Sequence, residues 1–202
     1  SDTLYLKIEK ADGELRLETD ILRWLDGKLP VPRVHYYGER GGLCFLLMSQ
    51  IKGHMACDCP QDTLHKPYES TVYLLAEGLK MLQAVDISAC PFDNSLDVKL
   101  KDAFDNITRN GIDLVDFKNS NSFDTPMDLY RYLDQNRPSE DLCFSHGDYC
   151  LPNIFISDSA VTGFVDWGRG GVADRWQDIA LCVRSLRYNL RDSIDKERCI
   201  TL

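Results

Sequence analysis

FSHGDYCLPNIF at 144–155, followed by FVDWGRGGVADRWQDIA at 164–180, is the stretch that decides how this chain is read. Asp148, Asn153 and Asp166 place three oxygen donors within nineteen residues. Phosphoryl transfer asks for little else: a carboxylate beside the acceptor hydroxyl, hard oxygen ligands for a divalent metal, and cations on the phosphates that stay behind. Asp148 is the candidate base, or the group that orients the hydroxyl, on an irregular loop suited to project into a cleft. Asn153 and Asp166 are the candidate magnesium ligands. Either of them alone is more often a turn residue, and an isolated HGD more often a loop cap. The metal reading comes from their pairing across a hairpin in which NIFIS and VTGFVDW flank the turn DSA. His146 reads as a residue that fixes the loop by hydrogen bonds, and Asp178 as one that holds it from below, a solvated helix carboxylate being the competing reading.

Upstream, LYLKIE at 4–9 alternates as a strand, with Leu4, Leu6 and Ile8 on one face and Tyr5 and Lys7 on the other. ELRLETDILRWLDG predicts a helix ending at Gly27, whose apolar stripe of Leu15, Leu22 and Leu25 also contains Glu18. A carboxylate inside such a stripe wants a partner, so Lys7 and Glu18 are expected to pair and to aim the lysine at nucleotide phosphates. Tyr5 is placed to stack on a nucleobase and the backbone of Ser49 and Ile51 to bind its edge, though an aromatic on a strand is more often core. RVHYYG and LCFLLMS read as two strands joined by ERGG. QIKG at 50–53 reads as a hinge. Helical patterns follow at about 68–85, 96–109 and 127–137, with DFKNSNSFDTP as a surface loop between the last two. The final helix, RWQDIALCVRSLRYNL, is expected to carry Trp176, Ile179, Val183, Leu186 and Leu190 on one face behind Asp174 as N-cap.

The fold expected is α+β with two lobes: an incomplete antiparallel-sheet lobe at 1–49, the hinge at 50–53, and a mainly helical lobe at 54–202. The 202 residues are 44% hydrophobic and carry a formal net charge of −9, enough apolar material for a real core. That charge disfavours nucleic acid and anionic membranes and favours a cationic partner, although acidity for solubility alone is common. No stretch approaches the ~20 consecutive apolar residues a membrane span needs, and SDTLYLKIEK lacks the order of a signal peptide, so the cytoplasm is the expected compartment. The eight cysteines sit in apolar runs and read as reduced. His54, Cys57, Cys59 and His65 form a weak zinc candidate whose spacing fits no paired CxxC site.

On LYLK, ETDILRWLDGKLPVP, LLMS, DISACPFDNSLD, FSHGDYCLPNIF and GFVDWGRGGVADRWQDIALCVRS the chain resembles the aminoglycoside phosphotransferases, and within them the 3'-phosphotransferases. The resemblance spans nearly all of the sequence. It implies a protein-kinase-like fold and transfer of phosphate from ATP, or GTP, with Mg2+, to antibiotics of the kanamycin and neomycin type, conferring resistance. It further implies Asp148 as catalytic aspartate, Asn153 and Asp166 as magnesium ligands, and Lys7 with Glu18 as the phosphate-positioning pair. Substrate contacts are implied at Asp113, Asp116 and Asp124, at Arg169, and at Asn189. In the family, strands and a loop over the ATP phosphates come before the lysine strand and a helical segment follows the last helix; neither is expected in these 202 residues. Two alternatives stay open: a related kinase of macrolides, choline or homoserine, and an inactive kinase-like fragment.

Overall fold

A computed structural model describes residues 3–11, 13–58, 67–120, 122–157 and 160–189. Strands β1 (Leu4–Lys10), β2 (Val34–Arg40) and β3 (Leu43–Ser49) form an antiparallel sheet in the order β1-β3-β2. Helix α1 (Glu14–Leu25) lies against it, with Leu15, Glu18, Ile21, Leu22 and Leu25 all buried, so the predicted stripe holds, carboxylate included. The helix stops where expected, and Gly27 follows with a φ of 78° that favours a residue without Cβ. Only Gly41 and Gly42 make the β2–β3 turn, at φ 61° and 76°; Glu39 and Arg40, assigned to the turn from the sequence, belong to β2. Two successive positive φ angles match the twist of a tight hairpin, which is why the strands run on to the glycines.

Gln50–Gly53 leads, without helix or strand, into the helical part of the chain. There β4 (His54–Met55) is followed by α2 (Pro67–Gln83), α3 (Leu96–Thr108), α4 (Leu114–Ser120) and α5 (Pro126–Gln135). Next come β5 (Leu142–Ser145), β6 (Ile154–Ile156), β7 (Val161–Phe164), β8 (Gly171–Asp174) and α6 (Arg175–Asn189). The short strands pair antiparallel as β4-β6-β7 and as β5-β8. Helix α4 corrects the expectation of a loop over DFKNSNSFDTP. The Asp113 carboxylate accepts from the Val115 and Asp116 amides at 2.8 and 3.2 Å, capping a turn that composition alone reads as coil.

Helix α6 is capped by Asp174, as expected, through the Trp176 amide at 2.8 Å. Its buried face differs from the one expected: Asp178, Cys182, Ser185 and Leu186 point inward, while Trp176 is 65% exposed. The inward Asp178 and Ser185 accept backbone hydrogen bonds from the loop at 146–151, and this polar anchoring, rather than the apolar count, sets the helix rotation. Leu190 lies outside the described residues.

One apolar cluster runs through both parts, joining Leu22 and Leu25 of α1 and Leu46 of β3 to Leu75, Phe144, Tyr149, Phe164 and Trp167. Tyr149, fully buried, donates to the Leu75 carbonyl at 2.8 Å and so ties the HGDYCLPN loop to α2. Gly78 in that helix makes room for it, since a Cβ there would fall 2.2 Å from the Tyr149 hydroxyl. Gly78→Ala gains about 1 kcal/mol of helix propensity yet should destabilise the protein in urea unfolding. Tyr149→Phe in the same chain should return part of the loss; a net gain for Gly78→Ala alone contradicts this packing.

Candidate active site

The hairpin β6–β7 and the loops at its two ends build the site. Leu151–Asn153 forms a short 3-10 turn before β6, and the Val165 amide donates to the Asn153 carbonyl at 3.0 Å, which ties Asn153 across the hairpin to the residue before Asp166. Asp166 itself adopts a left-handed φ of 64°, unusual for a residue with a side chain and a sign that the surrounding structure holds it.

Below the loop, Asp178 accepts from the His146 amide at 2.6 Å and from the Gly147 amide at 3.0 Å. It is 3% exposed; burial pushes its pKa up, against the opposing pull of His146 and these amides. These are the contacts expected of the support role that the sequence suggested for it. Gly147 has a φ of 80°, and a Cβ on it would meet the Arg169 carbonyl at 1.9 Å, so the two loops touch here backbone to backbone. His146 is fully buried and stacks on Trp167 at 4.4 Å. Its Nδ1 accepts the Asp148 amide at 3.3 Å, leaving Nε2–H to donate to the Val165 carbonyl at 2.9 Å. Burial holds its pKa below the ordinary value, consistent with a neutral ring that bridges the loops.

The carboxylate of Asp148 accepts from Asn153 Nδ2 at 3.3 Å and from the Cys150 thiol at 3.1 Å. Burial, then Asp148 itself, raises the pKa of that thiol and keeps it a donor. Asn153 Nδ2 also reaches the Asp148 carbonyl at 3.0 Å, so the amide is oriented with its oxygen turned away from Asp148.

Across the cleft, Lys7 Nζ donates to Glu18 Oε2 at 2.8 Å and to Asp166 Oδ1 at 3.2 Å, and pairs with Glu9 at 3.2 Å. Glu18 is 2% exposed, and its second oxygen accepts the Trp167 amide at 3.4 Å. Burial works to discharge Lys7, but Glu18 and then Asp166 outweigh it and lift its pKa. Burial raises the pKa of Glu18 against the pull of Lys7. At 2.8 Å the mutual attraction favours a charged pair at neutral pH.

Lys7, Glu9, Glu14, Glu18, Asp148, Asp166, Gly168 and Arg169 line one cleft of about 260 Å3. Five carboxylates against two cations favour a divalent ion and oppose a bare polyphosphate. Asn153 and the half-exposed Asp166 offer oxygen donors of the hard type. Among the described residues no group of three or more His, Cys, Asp and Glu is set to hold a metal; of the zinc candidate, Cys59 and His65 lie outside those residues.

Of the remaining expectations, Tyr5 is 52% exposed on the face it shares with Lys7. The Ser49 amide is taken by the Arg33 carbonyl at 2.9 Å, so it is not a donor to a nucleobase. Arg169 reaches the cleft, whereas Asp113, Asp116 and Asp124 do not line it and lie in and around α4. Asn189 bonds back to the Ser185 carbonyl at 2.8 Å. The sequence reading missed Glu9, which the alternation of β1 puts on the same face as Lys7, and Cys150, for which no motif gives a signal. The described cysteines, six of the eight, are all free thiols.

Residues 2–201 match the family described as the phosphotransferase enzyme family. An aminoglycoside 3'-phosphotransferase of Niallia circulans is 44% identical over 179 residues, which are 88% of this chain and 67% of that protein. One of Enterococcus faecalis is 38% identical over 198 residues, 94% of this chain and 74% of the relative. Among solved structures, an aminoglycoside-3'-phosphotransferase of type VIII superposes with a TM-score of 0.78 at 30% identity, over 98% of this chain and 74% of its own. An aminoglycoside phosphotransferase from Streptomyces rimosus, solved with ADP and streptomycin, gives a TM-score of 0.78 at 25% identity, over 98% of this chain and 76% of its own. With a matched family spanning almost all of its length and a site that brings Lys7, Glu18, Asp148 and Asp166 to one cleft, the chain belongs to the phosphotransferase enzyme family, among the aminoglycoside phosphotransferases.

Proposed function

We propose that this protein transfers the γ-phosphoryl group of ATP to a hydroxyl of an aminoglycoside antibiotic and thereby confers resistance. The observation that carries the reading is the single cleft in which the Lys7–Glu18–Asp166 ion-pair system faces Asp148. Asp148, oriented by Asn153 and Cys150, aligns the acceptor hydroxyl and takes its proton as the new ester bond forms. Lys7, kept protonated by Glu18, sits on the non-transferred phosphates. Asn153 and Asp166 would supply the protein oxygens for Mg2+, which when bound would screen the charge gathering on the phosphates. Tyr5 stacks on the nucleobase and the backbone at Ser49 and Ile51 meets its edge, with Ile51 rather than Ser49 as amide donor. The formal charge of −9 draws polycationic sugars inward, and Asp113, Asp116 and Asp124 add to that field. Among the described residues no helix is long and apolar enough to cross a membrane.

The reading is tested by coupled ADP release across a panel of kanamycin, neomycin, streptomycin, a macrolide, choline and homoserine. Turnover confined to aminoglycosides is expected; turnover confined to another compound moves the substrate, and none overturns the assignment. In the active protein Asp148→Asn should lower kcat by at least ~10³-fold while Mg-ATP still binds in calorimetry.

Lys7→Met should raise the KM for nucleotide at least ~10-fold, about 1.4 kcal/mol of lost phosphate contact. It should also cost about 1–3 kcal/mol of stability, less than for a fully buried pair because Lys7 is partly exposed. Removing Glu18 as well, with Lys7→Met and Glu18→Gln combined, should restore part of that stability. Strict additivity in urea unfolding would show that the two do not act as a pair.

A further inference from the structure

DISACPFDNSLD at 86–97 takes no part in the mechanism above, yet it touches the site loops at several points. Asn94 Nδ2 donates to the Arg169 carbonyl, and the Asn94 amide donates to the Val172 carbonyl at 2.8 Å. Val172 returns its own amide to the Phe92 carbonyl at 2.8 Å, and Asp93 bridges Val172 as a parallel pair. Phe92 meets Trp24 of α1 edge to face at 6.1 Å, on the helix that bears Glu18. The strap at 92–94 therefore joins α1 to the chain that runs from Asp166 to Val172. The carbonyl that Asn94 holds is the same one that Gly147 approaches, where a Cβ would fall at 1.9 Å. Arg169 carries that carbonyl and also lines the cleft with Asp148. On its other side Asn94 borders a cavity of about 510 Å3 that it shares with Leu96, Lys99, Trp176 and Gln177, so packing from behind does little to hold it.

We propose that Asn94 is a positioning residue for phosphoryl transfer: by fixing the Arg169 main chain it sets the Arg169 guanidinium and the Gly147–Asp148 turn against one another at the acceptor side of the cleft. The inference rests on the proposed reaction for its kinetic consequence but on the geometry alone for its structural one. Among the described residues the hydrogen bonds of Asn94 go to Arg169 and Val172 and not to β1 or β3, so the effect of losing it is expected on kcat more than on nucleotide affinity.

Asn94→Ala and Arg169→Ala, singly and together, are compared in three measurements on the full chain. Hydrogen exchange of the 166–173 peptide, independent of any activity, should speed up at least ~10-fold in Asn94→Ala. Turnover with the best aminoglycoside of the panel should show kcat reduced about 10-fold, with the Mg-ATP dissociation constant within about 2-fold of the parent. The double variant should lose less than the product of the two single losses, because the part that acts through the guanidinium is already gone in Arg169→Ala while the part that acts through the Arg169 carbonyl remains. Asn94→Gln, which keeps the amide on a longer arm, should recover part of the exchange protection. Unchanged exchange at 166–173 overturns the proposal whatever the activity, as does a kcat loss that adds fully to that of Arg169→Ala or a nucleotide affinity that falls in parallel. A parent protein inactive on every aminoglycoside refutes the substrate reading alone, and the exchange result still decides the role of Asn94.

Discussion

The carboxylate of Glu18, buried to 2% exposure, is the constraint on which the rest depends. A charge removed from water to that degree must be compensated at both oxygens, and here one receives the Lys7 ammonium and the other the Trp167 amide. Those two partners come from opposite sides of the cleft. β1, α1 and the loop after β7 are thereby fixed as one unit before any ligand arrives. Because Lys7 also reaches Asp166, the cation proposed for phosphate and the carboxylate proposed for metal stand at 3.2 Å from each other. On the proposed function, a metal-bound polyphosphate would exchange these contacts for similar ones with little reorganisation.

Asp178 does for the acceptor side what Glu18 does for the nucleotide side. Each helix, α1 and α6, turns one carboxylate inward and gives it to backbone amides of a site loop: Trp167 in one case, His146 and Gly147 in the other. Between the two loops lies His146, neutral, stacked on Trp167 and bonded through both ring nitrogens. A protonated ring there would have to donate from Nδ1 as well, where it now accepts the Asp148 amide. The histidine thus bridges the two loops, while Asp148 is one of the five carboxylates that line the cleft.

Much of this was legible because local rules and long-range contacts agree. The stripe of α1 announced a buried carboxylate, the alternation of β1 put Lys7 opposite the leucines, and the sequence spacing of Asp148 and Asp166 corresponds to two residues that line one cleft, with Asn153 hydrogen-bonded to Asp148. The errors fall where a polar contact overrides an apolar count. Helix α6 rotates to bury Asp178 and Ser185, leaving Trp176 exposed, and an aspartate cap turns a polar stretch into α4. Cys150 and Asn94 escaped for another reason: the side chain of each makes a hydrogen bond to a residue distant in sequence or on an irregular loop, and no periodicity records such a bond.

Phosphorus-31 NMR of the protein mixed with Mg-ATP and kanamycin tests the central claim, that the two halves of this cleft act together on one phosphoryl group. The account predicts a phosphomonoester resonance on the antibiotic that grows one for one with ADP and is absent for Asp148→Asn. ADP accompanied only by inorganic phosphate, or ATP left unconsumed, would contradict it.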